Sequence, residues 1–301
     1  MEVVSPIGTV MSKPGACRGH VPTCMVKASR RVGGIRQESS RAPPEIQGHR
    51  ERRYRGQLMS TPTAGIIVIG NEILSGKVLD ANSNFLAVEL RKLGVELRRV
   101  LTIPDEIDLI ADTVREFHQA YDHVFTSGGI GPTHDDVTIA GVAAAFGRPV
   151  IKDEKLVASI RGYLGDRVNE HHLKMAEAPQ GASLLEDPQL GFPTVSIENV
   201  YILPGVPEIL RKKFFALADR FSSQPYHLRV IYSRHHESQI AGFLNEVTAR
   251  LPTVAIGSYP KMDTSDFSVK LTIECKDESV VQEAFDLLMG MLPEEAIFGT
   301  E

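Results

Sequence analysis

Apolar and polar positions change texture twice along the 301 residues of this chain. Residues 1–58 show neither helical nor strand periodicity. From Ala64 a continuous apolar run, Ala64-Gly-Ile-Ile-Val-Ile-Gly70, ends in glycine, as a strand buried on both faces should. Asp80-Ala-Asn-Ser83 then opens a helix, with Asn82 or Ser83 as its N-cap. Phe85, Leu86, Leu90 and Leu93 share one face of it, and Gly94 stops it. Residues 95–103 predict a second strand. The next helix carries Ile107, Ile110, Ala111, Val114 and Phe117 on its inner side, and residues 122–126 predict a third strand. A glycine-rich loop follows, then a helix over 137–146 and a more polar helical stretch over 153–178. Residues 199–203 read as another buried strand. Pro207 starts a helix, where its missing N–H costs nothing. Beyond about residue 221 the elements shorten: a strand at 228–233, a helix at 236–251, strands at 254–259 and 267–274, and a helix at 278–291.

Strands that alternate with helices imply an α/β fold with a mostly parallel sheet covered on both faces. The later β-α-β-β-α order fits a small α+β domain, with Gln224-Pro225 as a hinge. The expected organisation is an extension at 1–58, a large domain at 61–222 and a small one at 226–301. In open parallel sheets, ligands sit beyond the carboxyl ends of the strands. The turns at 70–72, 104–106, 128–136 and 204–205 all follow predicted strands, so they should gather along one rim.

Composition narrows the function classes. No run of about 18 apolar residues exists, so no membrane-spanning helix is expected. Trp is absent and aromatics are few, and nucleic-acid stacking is not suggested. Residues 1–58 hold eleven Lys and Arg against four Glu, and the remainder carries 22 bases against 34 acids. The net acidic remainder gives no electrostatic case for nucleic acid. The Arg-rich first segment reads as an organelle transit peptide, for chloroplast or mitochondrion. The other reading is a disordered extension on a cytoplasmic protein. Cys17, Cys24 and Cys275 are too few for a disulfide framework or a four-ligand zinc site.

The loop over 127–138 carries the most chemistry. Ser127 is followed by Gly128, Gly129 and Gly131, which let backbone N–H groups approach an anion. The helix after it turns its positive end to the same place. Asp135 and Asp136 beside such a cradle would repel a phosphate unless they bind a cation or manage a proton. Thr138 or Asp136 could equally be a plain N-cap. With Glu72, Asp105 and Glu106 these residues form an acidic rim whose hard oxygens suit a divalent ion. The alternative is a solvated acidic rim. Pro204 and Gly205 make a further backbone anion site or an ordinary helix entry. Lys77 could meet a phosphate or be exposed, and His134 could carry a proton.

The segments Gly-Asn-Glu-Ile-Leu-Ser-Gly (70–76), Asp-Ala-Asn-Ser (80–83), Leu-Gly-Val (93–95), Pro-Asp-Glu (104–106), Gly-Gly-Ile-Gly-Pro-Thr-His-Asp-Asp-Val-Thr (128–138) and Leu-Pro-Gly-Val-Pro (203–207) resemble the molybdopterin-binding (MoaB/Mog-type) domain family. Within it the chain looks most like the first domain of eukaryotic FAD synthase and CinA-type proteins. Ile256-Gly-Ser-Tyr-Pro260 and its flanks resemble the small module that follows in FAD synthase. The resemblance implies a three-layer α/β/α fold, with a small α+β domain after it, and a homo-oligomer, dimer or trimer. It also implies a ligand such as FAD, ADP-ribose or molybdopterin. One family branch adenylylates molybdopterin; the FAD-synthase and CinA-like branch is associated with metal-dependent hydrolysis of nucleotide diphosphates. Carried over, Asp105 and Asp136 would be catalytic, and Glu72, Asp135 and Asp136 would hold the metal. Ser127, Gly128, Gly129, Gly131, Thr138, Pro204 and Gly205 would bind phosphate. The cofactor implied is a divalent metal, Mg²⁺ or Co²⁺, with K⁺ as a further candidate. The family turn usually reads Gly-Asp-Glu or Gly-Thr-Glu. Here Gly70-Asn71-Glu72 keeps an acceptor oxygen and loses a charge. A retained pocket without catalysis is the remaining alternative.

Overall fold

Seven residues with no side chain longer than isoleucine, Thr63–Ile69, form β1, an interior strand of a six-stranded sheet, and six of them are buried. The computed structural model describes residues 61–186, 191–262 and 266–301. The extension at 1–58 lies outside the described residues, as do Cys17 and Cys24. The sheet order is β2-β1-β3-β8-β7-β6. β2 (Glu96–Ile103), β1, β3 (His123–Ser127) and β8 (Val200–Leu203) run parallel. β7 (Thr194–Ile197) and β6 (Ser183–Leu185) add antiparallel to the far side.

The two faces of β1 serve two cores, because successive side chains point to opposite sides. Ile67 and Ile69 pack with Ile110, Val114 and Phe117 of α3 (Ile107–Ala120), and with Val142 of α4 (Thr138–Ala145). Ile66 and Val68 pack with Leu86 and Leu90 of α2 (Asn82–Lys92), and with Leu210 and Phe214 of α7 (Pro207–Leu217). The result is the three-layer α/β/α fold. Gly94 ends α2 with φ +77, as expected of a helix stop. Ile107, expected on the inner side of α3, is 42% exposed. It is the first residue of that helix, where the chain has not yet settled onto the core. The N-cap expected of Asn82 or Ser83 is supplied instead by Asp80, whose Oδ1 accepts from both their backbone amides at 3.0 Å. That frees the Asn82 side chain for the site described below.

The polar stretch over 153–178 is not one helix. α5 (Glu154–Leu164) ends at Gly165, and Asn169 caps a short α6 (Glu170–Lys174). Residues Glu177–Pro179 then form β5, which pairs with β4 (Val150–Lys152).

The C-terminal part is an antiparallel sheet of order β10 (Ala255–Pro260), β11 (Val269–Cys275), β9 (His227–Ser233), β12 (Ile297–Thr300), with helices α8 (Glu237–Arg250) and α9 (Glu278–Met291). β12 (Ile297–Thr300) escaped the sequence reading; it is short and carries a glycine. It pairs with β9 (His227–Ser233) across a bulge. The expected hinge at Gln224 is tied on both sides. Gln224 Nε2 donates to Lys276 O at 2.7 Å, and Ser223 N donates to Leu93 O at 2.8 Å. Beside it, Arg91 pairs with Glu274 at 2.7 Å and lies 3.3 Å over the ring of Tyr226. Lys276 Nζ donates to Gly94 O at 2.7 Å.

Candidate functional site

The parallel strands end on one rim. β1 leads into the short helix α1 (Asn71–Leu74) with Glu72, and β2 into Asp105. β3 leads into the glycine loop and β8 into Pro204-Gly205. β7 is antiparallel, so its start, preceded by Phe192 and Pro193, reaches the same rim.

The glycine loop is folded tightly onto its surroundings. Gly128 has φ +107, and a Cβ there would fall 2.2 Å from Ile69 O. Its N–H donates to Leu203 O at 3.2 Å, which joins the loop to β8. Thr138 is fully buried; its hydroxyl donates to Gly128 O at 2.8 Å and its N–H to Gly129 O at 3.0 Å. It therefore braces the loop from the first turn of α4. Ser127 is 2% exposed, and its Oγ accepts from Asn82 Nδ2 at 2.9 Å.

Asn82 links the two anion-site candidates. Its Nδ2 also donates to Gly205 O at 2.8 Å, and its Oδ1 is buried with no hydrogen-bond partner among the described residues. Asn82→Ala removes both bonds from a buried site. A loss of roughly 1–3 kcal/mol is expected, read as a lowered Tm. Asn82→Asp should not restore it, because a carboxylate would face a carbonyl oxygen with no proton to give.

A cavity of about 510 Å³ opens at this rim, a size within the range of small-molecule sites. Gly128, Gly129, Gly131, Pro204 and Gly205 line it with backbone, and Glu72 and Asp136 with carboxylates. Ile139, Val195, Ile202 and Ile209 supply apolar wall. Asp136 is held in place: its Oδ2 accepts from Thr133 N at 2.8 Å and from Thr133 Oγ1 at 2.5 Å. A Cβ on Gly131 would come 2.7 Å from that same oxygen, so glycine is what lets Asp136 fold back.

Other sequence candidates lie off the cavity wall. Asp105 accepts from Asn71 N at 2.8 Å and so positions the turn that carries Glu72. Asp135 and His134 are solvent-exposed, 3.9 Å apart, and Lys77 is exposed. Among the described residues, no three His, Cys, Asp or Glu side chains form a metal cluster. Glu177 is a third acid of the wall; Glu72 and Asp136, beside the glycine loop, match the way Mg²⁺ is held by one or two protein carboxylates together with substrate phosphates.

One residue of the wall was missed. Lys213 on α7 is 6% exposed, yet its Nζ donates only to neutral oxygens, Phe192 O and Pro193 O at 2.9 Å and Thr194 Oγ1 at 3.4 Å, and lies 5.3 Å from the centre of the Phe192 ring. No carboxylate pairs with it among the described residues, and burial pulls its ammonium down to about 8. The signal was present. Leu210, Lys213, Phe214 and Leu217 follow helical spacing, so the lysine sits in the apolar stripe. Lys174 also lines the cavity and donates to Thr133 O.

Fold and site define a three-layer α/β/α protein with a glycine-loop cavity at the carboxyl ends of its strands. The family described as "Probable molybdopterin binding domain" matches residues 65–221, and "FAD synthase, middle domain" matches residues 225–301. The chain belongs to the molybdopterin-binding (MoaB/Mog-type) domain family. It is similar to a protein of Archaeoglobus fulgidus, 35% identical over 65% of this chain and 85% of the relative. It is similar to a Caenorhabditis elegans protein named "Probable FAD synthase", 35% identical over 76% of this chain and 50% of the relative. It thus spans about half the length of that relative. Among solved structures, the protein CinA of Thermoplasma acidophilum, titled as of unknown function, is 32% identical. The match covers 54% of this chain and 99% of that one, with a TM-score of 0.49.

Proposed function

We propose that this protein hydrolyses the phosphoanhydride of a nucleotide diphosphate such as FAD or ADP-ribose, with a divalent metal ion, Mg²⁺ or Co²⁺. The observation that carries the reading is the meeting of Glu72 and Asp136 with the glycine-loop backbone on one cavity wall. Carboxylates beside a phosphate cradle are repulsive unless a cation lies between them. The similarity to a protein named FAD synthase adds weight to a flavin dinucleotide as the ligand.

In this reading Glu72 and Asp136 would hold the metal, which supplies charge neutralisation at the diphosphate and acidifies a bound water. The chain's own groups do the rest. Backbone around Gly129 and Gly131 receives the phosphate oxygens, where fixed amide dipoles favour developing negative charge. Thr133 and Gly131 fix Asp136, and Asp105 fixes the Glu72 turn through Asn71 N–H. Asp105 is then a positioning residue. The apolar wall of Ile139, Val195, Ile202 and Ile209 keeps bulk water from the bound ligand.

Incubation with FAD and Co²⁺ or Mg²⁺ tests the reading. FMN and AMP should be released, and EDTA should stop their release until metal is restored. No release at high protein concentration with either metal sinks it. A second reading, binding or adenylylation of molybdopterin, has the description of the matched family in its favour. It requires that the chain restore molybdoenzyme activity in an adenylyltransferase-deficient host.

A further inference from the structure

We infer that Lys213 forms a second anion subsite in the cavity, set apart from the Glu72–Asp136 end, which takes a phosphoryl or other oxyanion group of the ligand. The inference extends the proposed nucleotide site, but it is tested without any turnover.

Lys213 lines the cavity while it is 6% exposed. Its three neighbours are carbonyl and hydroxyl oxygens, which satisfy its N–H groups and leave its charge unmatched. Burying an ammonium without a counter-ion is costly. If Lys213 were only a brace for residues 192–194, a neutral donor on α7 would hold those oxygens without that cost. An anion in the cavity supplies the missing charge and turns a destabilising group into a recognising one.

Sheet order separates this subsite from Glu72 and Asp136. Glu72 follows β1 and Asp136 follows β3, whereas the Lys213 contacts precede β7. β1 and β7 are three strand spacings apart, about 14 Å, and β3 and β7 two, about 10 Å. One phosphate cannot bridge those distances. The ligand therefore lies across the strand ends, with a cation-bound group near β1 and β3 and an anionic oxygen toward β7.

The probe is sulfate, whose charge is constant across the range used, titrated into metal-free protein and followed by calorimetry and thermal shift. Wild type should bind it, and K213M should bind at least about tenfold more weakly, because it removes the positive charge that faces the anion in a low-dielectric site. K174M controls for the second cation of the cavity; Glu72, Asp136 and Glu177 are the acids that share its wall. In wild type the affinity should fall as pH rises through about 8, where Lys213 loses its proton. That series needs no variant, so it decides the matter even if K213M does not fold. Equal binding by K213M and wild type, no binding to wild type, or a pH-independent affinity overturns the inference. Absence of FAD turnover with intact sulfate binding would sink only the hydrolase reading.

Discussion

Asp136→Ala should reduce kcat/KM for FAD cleavage by roughly a thousandfold or more, as loss of a group acting on transition-state charge does. Folding should be nearly unaffected. Asp136 lies in an exposed turn, and its bonds reach only Thr133, three residues back. The contrast between the two effects is the point of the experiment. Asp136→Asn is the sharper variant, because it keeps the shape and an acceptor for Thr133 while it removes the charge that would hold a cation. Steady-state FMN release and the melting temperature should be measured on the same preparations. A variant with wild-type turnover would remove Asp136 from the machinery. Equal losses of turnover and folded protein would make it a structural residue.

Gly128→Ala should have the opposite signature, a large loss of stability. The residue has φ +107, where a side chain is strained, and the added carbon would meet Ile69 O at 2.2 Å. Left-handed strain of about 1–3 kcal/mol adds to a backbone clash that can be relieved only by moving the end of β1 or the loop. A total of roughly 3 kcal/mol is expected, which for a protein of this size lowers Tm by roughly 6–12 °C. Gly147→Ala is the control: its φ is also positive, at +61, but a Cβ there meets nothing within 4 Å. It should cost only the backbone strain. If the two variants melt alike, the close approach of Gly128 to Ile69 is not what fixes the loop.

Much of this architecture was legible because it rests on strong local signals. The run from Ala64 to Gly70 reads as a strand buried on both faces, and Pro207 and Gly94 mark helix ends by backbone chemistry alone. β6 and β7 were not legible: at three and four residues they show no period, and they lack the unbroken apolar run that marked the equally short β8. In the site, glycines and acids were visible as residue types, but spatial sorting was not. Thr138 turned from a phosphate-ligand candidate into a buried brace because its partner is the carbonyl of Gly128, ten residues earlier. Asn82 looked like a cap, and its contacts lie 45 and 123 residues away. Only packing could show that Asp80 does the capping. Lys213 was readable in principle, as a charge inside an apolar stripe.

The ties across residues 222–226 bear on how this chain could have diverged. The two family matches meet there, at 221 and 225, as two inherited modules would. Yet Arg91 of one grips Glu274 of the other, and Lys276 of the second caps the carbonyl of Gly94 in the first. The junction is thus a boundary of ancestry rather than of mechanics. A change at Arg91 or Gly94 is answerable to residues some 180 positions away, so the modules can no longer drift in sequence as separate proteins would.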